Sequence, residues 1–337
     1  MSTVFSMDLP TFWFGVVAVF WLGFLFLEGF DFGVGMLLPI LGRTDVDRRI
    51  MINTIGPVWD GNEVWLIVAA GVMFAAFPLW YAALFSGAYL PLLLLLLALI
   101  GRGVSFEYRG KVSTDRWRQT WDRVLITSSC LATLCVGILL ATTVLGLPLN
   151  ANGDRVGSPF AAFRPEVLLG GLAIAAFALL HGTFFVTLKT EGGIRVRARR
   201  FALRAAPFAI VPIIAFPLLV QLREGHPWTW LPLAITIIAA LAAVQRLAAV
   251  RDGQAFALMA LTVVGLVVTL FGALYPNVLP STLDAANSLT VHNASSAHYT
   301  LTVMTWLGAF GVPAVLAYQA WTYWVFRRRI GSHHIPS

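Results

Sequence analysis

The chain alternates long apolar stretches with short polar ones. Apolar runs of membrane-spanning length fall near residues 12–40, 58–78, 82–104, 122–147, 165–188, 202–222, 228–250, 255–275 and 299–326. A helix needs roughly 20 apolar residues to cross a hydrocarbon core about 30 Å thick. Backbone in lipid must also satisfy its own hydrogen bonds. The pattern therefore predicts an all-α polytopic membrane protein with nine transmembrane helices. The second run differs from the others. Its apolar part, Val64 to Pro78, is shorter than the roughly 17–25 residues that a span needs, so the polar stretch Val58-Trp59-Asp60-Gly61-Asn62-Glu63 must help to cross. Asp60 and Glu63, three apart and on one helix face, are expected inside the membrane. Pro91 in the third run and Pro207, Pro212 and Pro217 in the sixth predict kinks.

The polar stretches set the orientation, because Lys and Arg concentrate on the cytoplasmic side. Of 23 basic residues, all but Arg155, Arg164 and Arg223 lie on one side of the predicted spans. That assigns an external N-terminus and a cytoplasmic C-terminus in a bacterial cytoplasmic membrane. Trp228 and Trp230 at the external start of the seventh helix, and Trp321, Tyr323 and Trp324 near the cytoplasmic end of the ninth, sit where aromatic anchors are enriched. Residues 276–298, with no Lys or Arg and only Asp284 as an acid, are read as an external loop lying on the protein.

Composition removes other classes. With 58% hydrophobic residues, 12% charged and a mean hydropathy of +0.80, the chain is not a soluble domain, for which about 25% charged is usual. The net charge of +7 does not indicate a nucleic-acid partner, since the basic residues sit in short loops rather than on one soluble face. The first run is too long for a signal-peptide core and lacks a basic flank, so it is expected to be retained. Cys130 and Cys135 share one run and point to different helix faces, as expected of free thiols.

A faint internal echo adds to the organisation. Gly29-Phe30-Asp31-Phe32 in the first helix and Gly182-Thr183-Phe184-Phe185 in the fifth are each followed by a basic loop. Four helices separate them, and an even number preserves orientation. The expected architecture is one integral membrane domain over 1–337. It comprises a four-helix bundle at 12–147, a second at 165–275, the 276–298 loop and a peripheral ninth helix at 299–326.

Candidate chemistry lies in the first two helices. Glu28 and Asp31 are again three apart, and Glu28 lies about 24 Å along the first helix from its external end at 1.5 Å per residue. That puts it at a depth similar to Asp60 and Glu63. Ionisable groups inside a membrane are usually functional or paired. Two readings stand on the residues alone: a proton-handling group of four carboxyls, or acids held structurally by Arg102 or favoured near a helix start by the macrodipole. Gly29-x-x-x-Gly33, extended by Gly35, is a helix-packing pattern rather than a nucleotide loop. Haem ligation needs His, Met, Cys or Tyr at membrane depth. Of six histidines only His181 falls within a predicted span, which excludes a cytochrome with two haems held by four histidines. His181 itself reads better as a buried, hydrogen-bonded histidine than as a ligand. No zinc spacing, Walker loop or catalytic triad is present, so no metal site is expected.

Several stretches together resemble subunit II of the cytochrome bd-type quinol oxidases. They are Glu28-Gly29-Phe30-Asp31-Phe32-Gly33-Val34-Gly35-Met36, Arg48-Arg49-Ile50-Met51-Ile52-Asn53, and Trp59-Asp60-Gly61-Asn62-Glu63-Val64-Trp65. Phe74-Ala75-Ala76-Phe77-Pro78, Phe106-Glu107-Tyr108-Arg109 and Val303-Met304-Thr305-Trp306 continue the match. The resemblance implies a non-haem subunit that pairs with a haem-bearing subunit I in quinol oxidation and reduction of dioxygen to water. Haems b and d would belong to that partner, and this chain would not be catalytic alone. It further implies a proton path from the cytoplasm through Asp60, with Asp31 supporting the inner polar cluster, and a dioxygen route near Trp65; Glu28 and Glu63 are candidates for the same path from their placement, with Glu63 alternatively a helix-start acid or a pairing partner. A structural quinone at unspecified residues, surrounding lipid and small accessory subunits complete the implied partners. Glu28 stands where some relatives carry Asp. The alternative from another class is a proton-coupled secondary transporter, but its substrate site would be expected near the midplane at broken helices, whereas these acids sit to one side.

Overall fold

The computed structural model describes residues 8–334; residues 1–7 and 335–337, which hold the termini assigned above to opposite sides, lie outside it. Eleven α-helices are formed among the described residues: α1 (Leu9–Leu41), α2 (Asp45–Ile55), α3 (Trp59–Ala76), α4 (Pro78–Gly87), α5 (Tyr89–Tyr108), α6 (Asp115–Leu145), α7 (Pro165–Lys189), α8 (Gly192–Glu224), α9 (Trp230–Ala248), α10 (Asp252–Leu274) and α11 (His298–Val325). Eight of them are individually long and apolar enough to cross a membrane. α2 and α3, bent by 47° at the break between them, pass together as a ninth. The chain is thus an all-α polytopic membrane bundle, as its hydropathy predicts.

The structure differs from the sequence reading before the second span and breaks the third run beside Pro91, where a kink is expected; both features have physical causes. The stretch before the second span is not a plain loop but the helix α2. Thr44 Oγ1 accepts from the Asp47 N–H at 3.1 Å and the Asp47 carboxylate accepts from the Thr44 N–H at 3.3 Å, a reciprocal cap that satisfies helix-start donors. Its apolar residues Ile50, Met51 and Ile55 are buried with Leu37, Leu38 and Leu41 of α1. Pro57 sits in the turn between α2 and α3, which starts at Trp59. The run at 82–104 is broken at Ala88 into α4 and α5. The Pro91 ring would clash with the Gly87 carbonyl four residues earlier in a continuous helix, and the break falls there. By contrast α8 runs through Pro207, Pro212 and Pro217 as one helix.

α1 is the central element and packs on α3, α6, α7 and α10. Its closest approach is to α7. A Cβ on Gly33 would overlap the Ala178 carbonyl oxygen and lie 2.7 Å from Gly182 Cα, and one on Gly182 would lie 2.5 Å from Gly33 Cα. Small residues therefore set this contact, as the Gly29-x-x-x-Gly33 spacing suggests. Because the obstructing atoms are backbone, Gly33→Ala is expected to force the helices apart at a cost of about 1–3 kcal/mol. The thermal midpoint of the purified protein should fall accordingly. Gly15→Ala on the same helix, where nothing lies within 4 Å of the added carbon, should not lower it, since alanine is the better helix former.

The segment after α10 lies on the bundle. β1 (Asn277–Leu279) pairs antiparallel with β2 (Leu289–Thr290), and Val278, Leu279, Val291 and Ala294 are buried. Ser296 donates its N–H to the Ala76 carbonyl at 2.8 Å and its hydroxyl to the Ala75 carbonyl at 2.6 Å, closing the end of α3. At the basic end, Asp122 accepts from Arg109 at 2.6 Å and Arg48 at 2.9 Å. Arg197 reaches Asp47 at 2.7 Å, which ties α2 to α8.

Candidate functional site

Three of the four acids singled out in the sequence meet in one buried cluster. Glu28 and Asp31 project from α1 and are fully buried. Glu63 enters from α3, and Arg102, also fully buried, from α5. The Arg102 guanidinium forms an ion pair with Glu28 and a longer one, at 3.4 Å, with Glu63. Its remaining face rests on aromatic rings, with Cζ 4.8 Å from the Phe32 centroid and 5.2 Å from that of Phe106. Such stacking suits a weakly hydrated, delocalised cation. The pairing of acids with Arg102 considered from sequence is therefore realised. It involves two carboxyls on one cation, with Asp31 beside Glu28 as a third acid interacting with them.

Asp31 is held by an amide that sequence reasoning passed over. Asn62 Nδ2 donates to Asp31 Oδ2 at 2.7 Å and to the Leu27 carbonyl at 3.4 Å. Its Oδ1 accepts from Tyr323 OH at 2.8 Å and Gln319 Nε2 at 3.0 Å. All of the hydrogen-bonding capacity of the amide is used, which fixes which way it points. The four partners come from α1 and α11, so this side chain joins the first, second and ninth spans. Replacing it by Leu leaves a buried carboxyl, a phenol and an amide without their partner, at about 1–3 kcal/mol for each unsatisfied group. Asn62→Leu is expected to lower the thermal midpoint more than Gln319→Leu, which removes one of these bonds.

Asp60 stands apart. It occupies the first turn of α3, one turn before Glu63, and is exposed on the surface of the chain. The depth estimate grouped four carboxyls, but the rotation of α3 turns Glu63 inward towards Arg102 and leaves Asp60 outside. It remains close enough to Glu63 for their charges to interact. Trp65 is half-buried against Gly23, where a Cβ would overlap its ring, with the Phe20 centroid 5.8 Å away. It lines an apolar cleft of about 510 Å³ between α3 and α11.

His181 does not offer a haem site. Its Nε2 is 2.9 Å from the Phe26 carbonyl oxygen, and its ring is stacked between Phe177 at 5.1 Å and Phe256 at 4.9 Å. Nε2, one of the two ring nitrogens that could bind iron, is engaged by that carbonyl, and the residue is fully buried. Among the described residues no group of three or more His, Cys, Asp or Glu is arranged to hold a metal ion. Cys130 and Cys135 are free thiols.

Comparison with known proteins bears on this arrangement. Residues 9–326 match the family model described as cytochrome bd terminal oxidase subunit II. The cytochrome bd ubiquinol oxidase subunit 2 of Bacillus subtilis (strain 168) is 41% identical over 338 residues, covering 98% of each chain. The cytochrome bd-I ubiquinol oxidase subunit 2 of Escherichia coli (strain K12) is 34% identical over 364 residues, covering 96% of this chain and 95% of the relative. Among solved structures, a chain of the bd oxidase from Geobacillus thermodenitrificans superposes with a TM-score of 0.77 at 17% identity. The superposition covers 95% of this chain and 99% of that one, a likeness of fold.

Proposed function

The chain belongs to the cytochrome bd terminal oxidase subunit II family, and on that premise we propose that it is the non-haem subunit of a quinol:dioxygen oxidoreductase in a bacterial cytoplasmic membrane. A haem-bearing subunit I would be its partner and would carry the haems b and d. Electron transfer and dioxygen reduction occur in that partner, so this chain is not catalytic alone. Its own contribution is to complete the complex and to move protons from the cytoplasm, entering at Asp60 and passing to Glu63, Glu28 and Asp31.

The single observation that supports this reading best is the stoichiometry of the cluster. Two carboxyls, Glu28 and the part-exposed Glu63, pair with one guanidinium, and the buried Asp31 carboxyl adjoins them. Full ionisation would leave excess negative charge, which is expensive to bury, so the cluster has sites to spare for protons. Asp60, exposed one turn away from Glu63, suits an entry point facing a partner or water. α3 and α11 suit contact with a second membrane protein. Leu301 is the one buried residue of the 28 in α11, so nearly all of that helix remains available to lipid or partner. The bundles at 12–147 and 165–275 and the dioxygen route at Trp65 belong to the same reading.

A proton-coupled transporter is less well supported, because it calls for a substrate-sized polar cavity, whereas the cleft that reaches Glu63 is lined almost entirely by apolar side chains. Purification of this chain from native membranes tests the proposal. A larger haem-bearing membrane subunit is expected to accompany it, and this chain separated from that partner should show no haem absorption. Purification without such a partner, or a stoichiometric haem retained by the separated chain, would refute the assignment.

A further inference from the structure

We infer that the cavity between α1, α7, α10 and α11 at the basic end of the bundle is a binding site for one anionic phospholipid. The cavity has a volume of about 460 Å³, within the range of roughly 300–1,000 Å³ usual for ligand clefts. Its walls and its rim differ sharply in chemistry. The inner wall is aromatic: Phe30 of α1 and Phe185 of α7 are stacked at 4.0 Å, and Phe256 of α10 meets Phe30 edge-on at 6.1 Å. The rim carries Lys189, Arg327 and Arg329.

Three cations around one opening repel one another unless an anion joins them, and the chain supplies little negative charge there. Among the described residues no carboxylate lies within 4.0 Å of Lys189 or Arg327. Arg329 reaches Asp252 at 3.6 Å, but that carboxylate already accepts from Arg195 at 3.0 Å and Arg199 at 2.7 Å. Lys189 instead donates to the backbone carbonyls of Phe326 and Arg328, which holds the segment after α11 across the opening. The Arg327 guanidinium lies 4.4 Å over the Trp324 ring. The mouth therefore keeps a positive surplus.

The depths match an amphiphile. Lys189 is the last residue of α7, and Phe185 lies four residues further in, about 6 Å along the axis at 1.5 Å per residue. A phosphate at the rim would meet charge at headgroup level while an acyl chain lay among the phenyl rings. Basic pockets between transmembrane helices are suited to such headgroups. A net-neutral phosphatidylcholine would use the walls and bring a phosphate, but its choline cation would oppose the three basic side chains, and free inorganic phosphate would gain nothing from the walls.

Native mass spectrometry of the intact complex, delipidated in mild detergent, tests the inference. Phosphatidylglycerol and phosphatidylcholine with the same acyl chains are added separately. One phosphatidylglycerol is expected to be retained about tenfold more tightly than phosphatidylcholine, corresponding to the preference of a charged rim for an anion. Arg327→Gln, at an exposed residue whose loss should not disturb folding, is expected to reduce that preference several-fold, and Lys189→Gln to reduce it further. Millimolar inorganic phosphate should not displace the lipid. Equal retention of the two lipids, a preference unchanged in Arg327→Gln, or displacement by phosphate would overturn the site. So would a copurifying quinone lost from the variants while phosphatidylglycerol retention stays constant.

Discussion

Arg102→Met is expected to prevent stable accumulation of this subunit. The methionine side chain fills much of the same apolar volume beside Phe32 and Phe106, so the loss is electrostatic rather than one of packing. Glu28, fully buried, would lose its ion-pair partner, and Glu63 would lose the one at 3.4 Å. Removing one partner of a buried ion pair typically costs about 3–5 kcal/mol, because a charge is left uncompensated. Most proteins have a total stability of only about 5–15 kcal/mol. The same reasoning predicts partial rescue. Combining Arg102→Met with Glu28→Gln and Glu63→Gln removes the two carboxylates that pair with the cation along with it, leaving Asp31 on its Asn62 hydrogen bond, and the triple variant should accumulate better than the single one. Quantifying the subunit in isolated membranes checks both. Wild-type levels of Arg102→Met with an unchanged thermal midpoint would mean that the pair does not hold α1, α3 and α5 together.

The spans were legible because their signal is coarse: a long apolar run bounded by charges needs no knowledge of which way any side chain points. The helix α2 was missed although Thr44-Asp45-Val46-Asp47 carries a capping signature, because arginines in a short stretch read as a cytoplasmic loop. The acids were found for a different reason. A carboxyl within an apolar run is conspicuous in itself, whereas the facing of α3 depends on its rotation, and that rotation separates Glu63 from Asp60. Arg102 entered the sequence reading only as a structural competitor for the acids, and it proves to be the charge around which Glu28 and Glu63 gather. Asn62 was the least visible member. An amide carries no charge to stand out, and two of its partners, Gln319 and Tyr323, lie at the far end of the chain. Tyr323 has the composition of an interface anchor, and only the packing of α11 against α3 brings its hydroxyl to Asn62.

Asp60→Asn should produce the largest effect on activity with the least on structure. Asp60 is exposed in the first turn of α3, and the substitution preserves size and hydrogen-bonding capacity while removing the proton-binding group. The stability change is confined to the loss of a charge near a helix start, about 0.3–1 kcal/mol, so assembly with the haem-bearing partner should proceed. If protons enter through this carboxyl towards Glu63 and the buried cluster, turnover must fall, on the order of tenfold to a hundredfold for the loss of a positioned proton-transfer group. The decisive measurement is the rate of dioxygen consumption with quinol by the purified Asp60→Asn complex, normalised to haem content. A rate reduced at least about tenfold at wild-type haem content is the predicted result, and a wild-type rate in a fully assembled, fully haem-loaded complex would contradict proton entry through this subunit at Asp60.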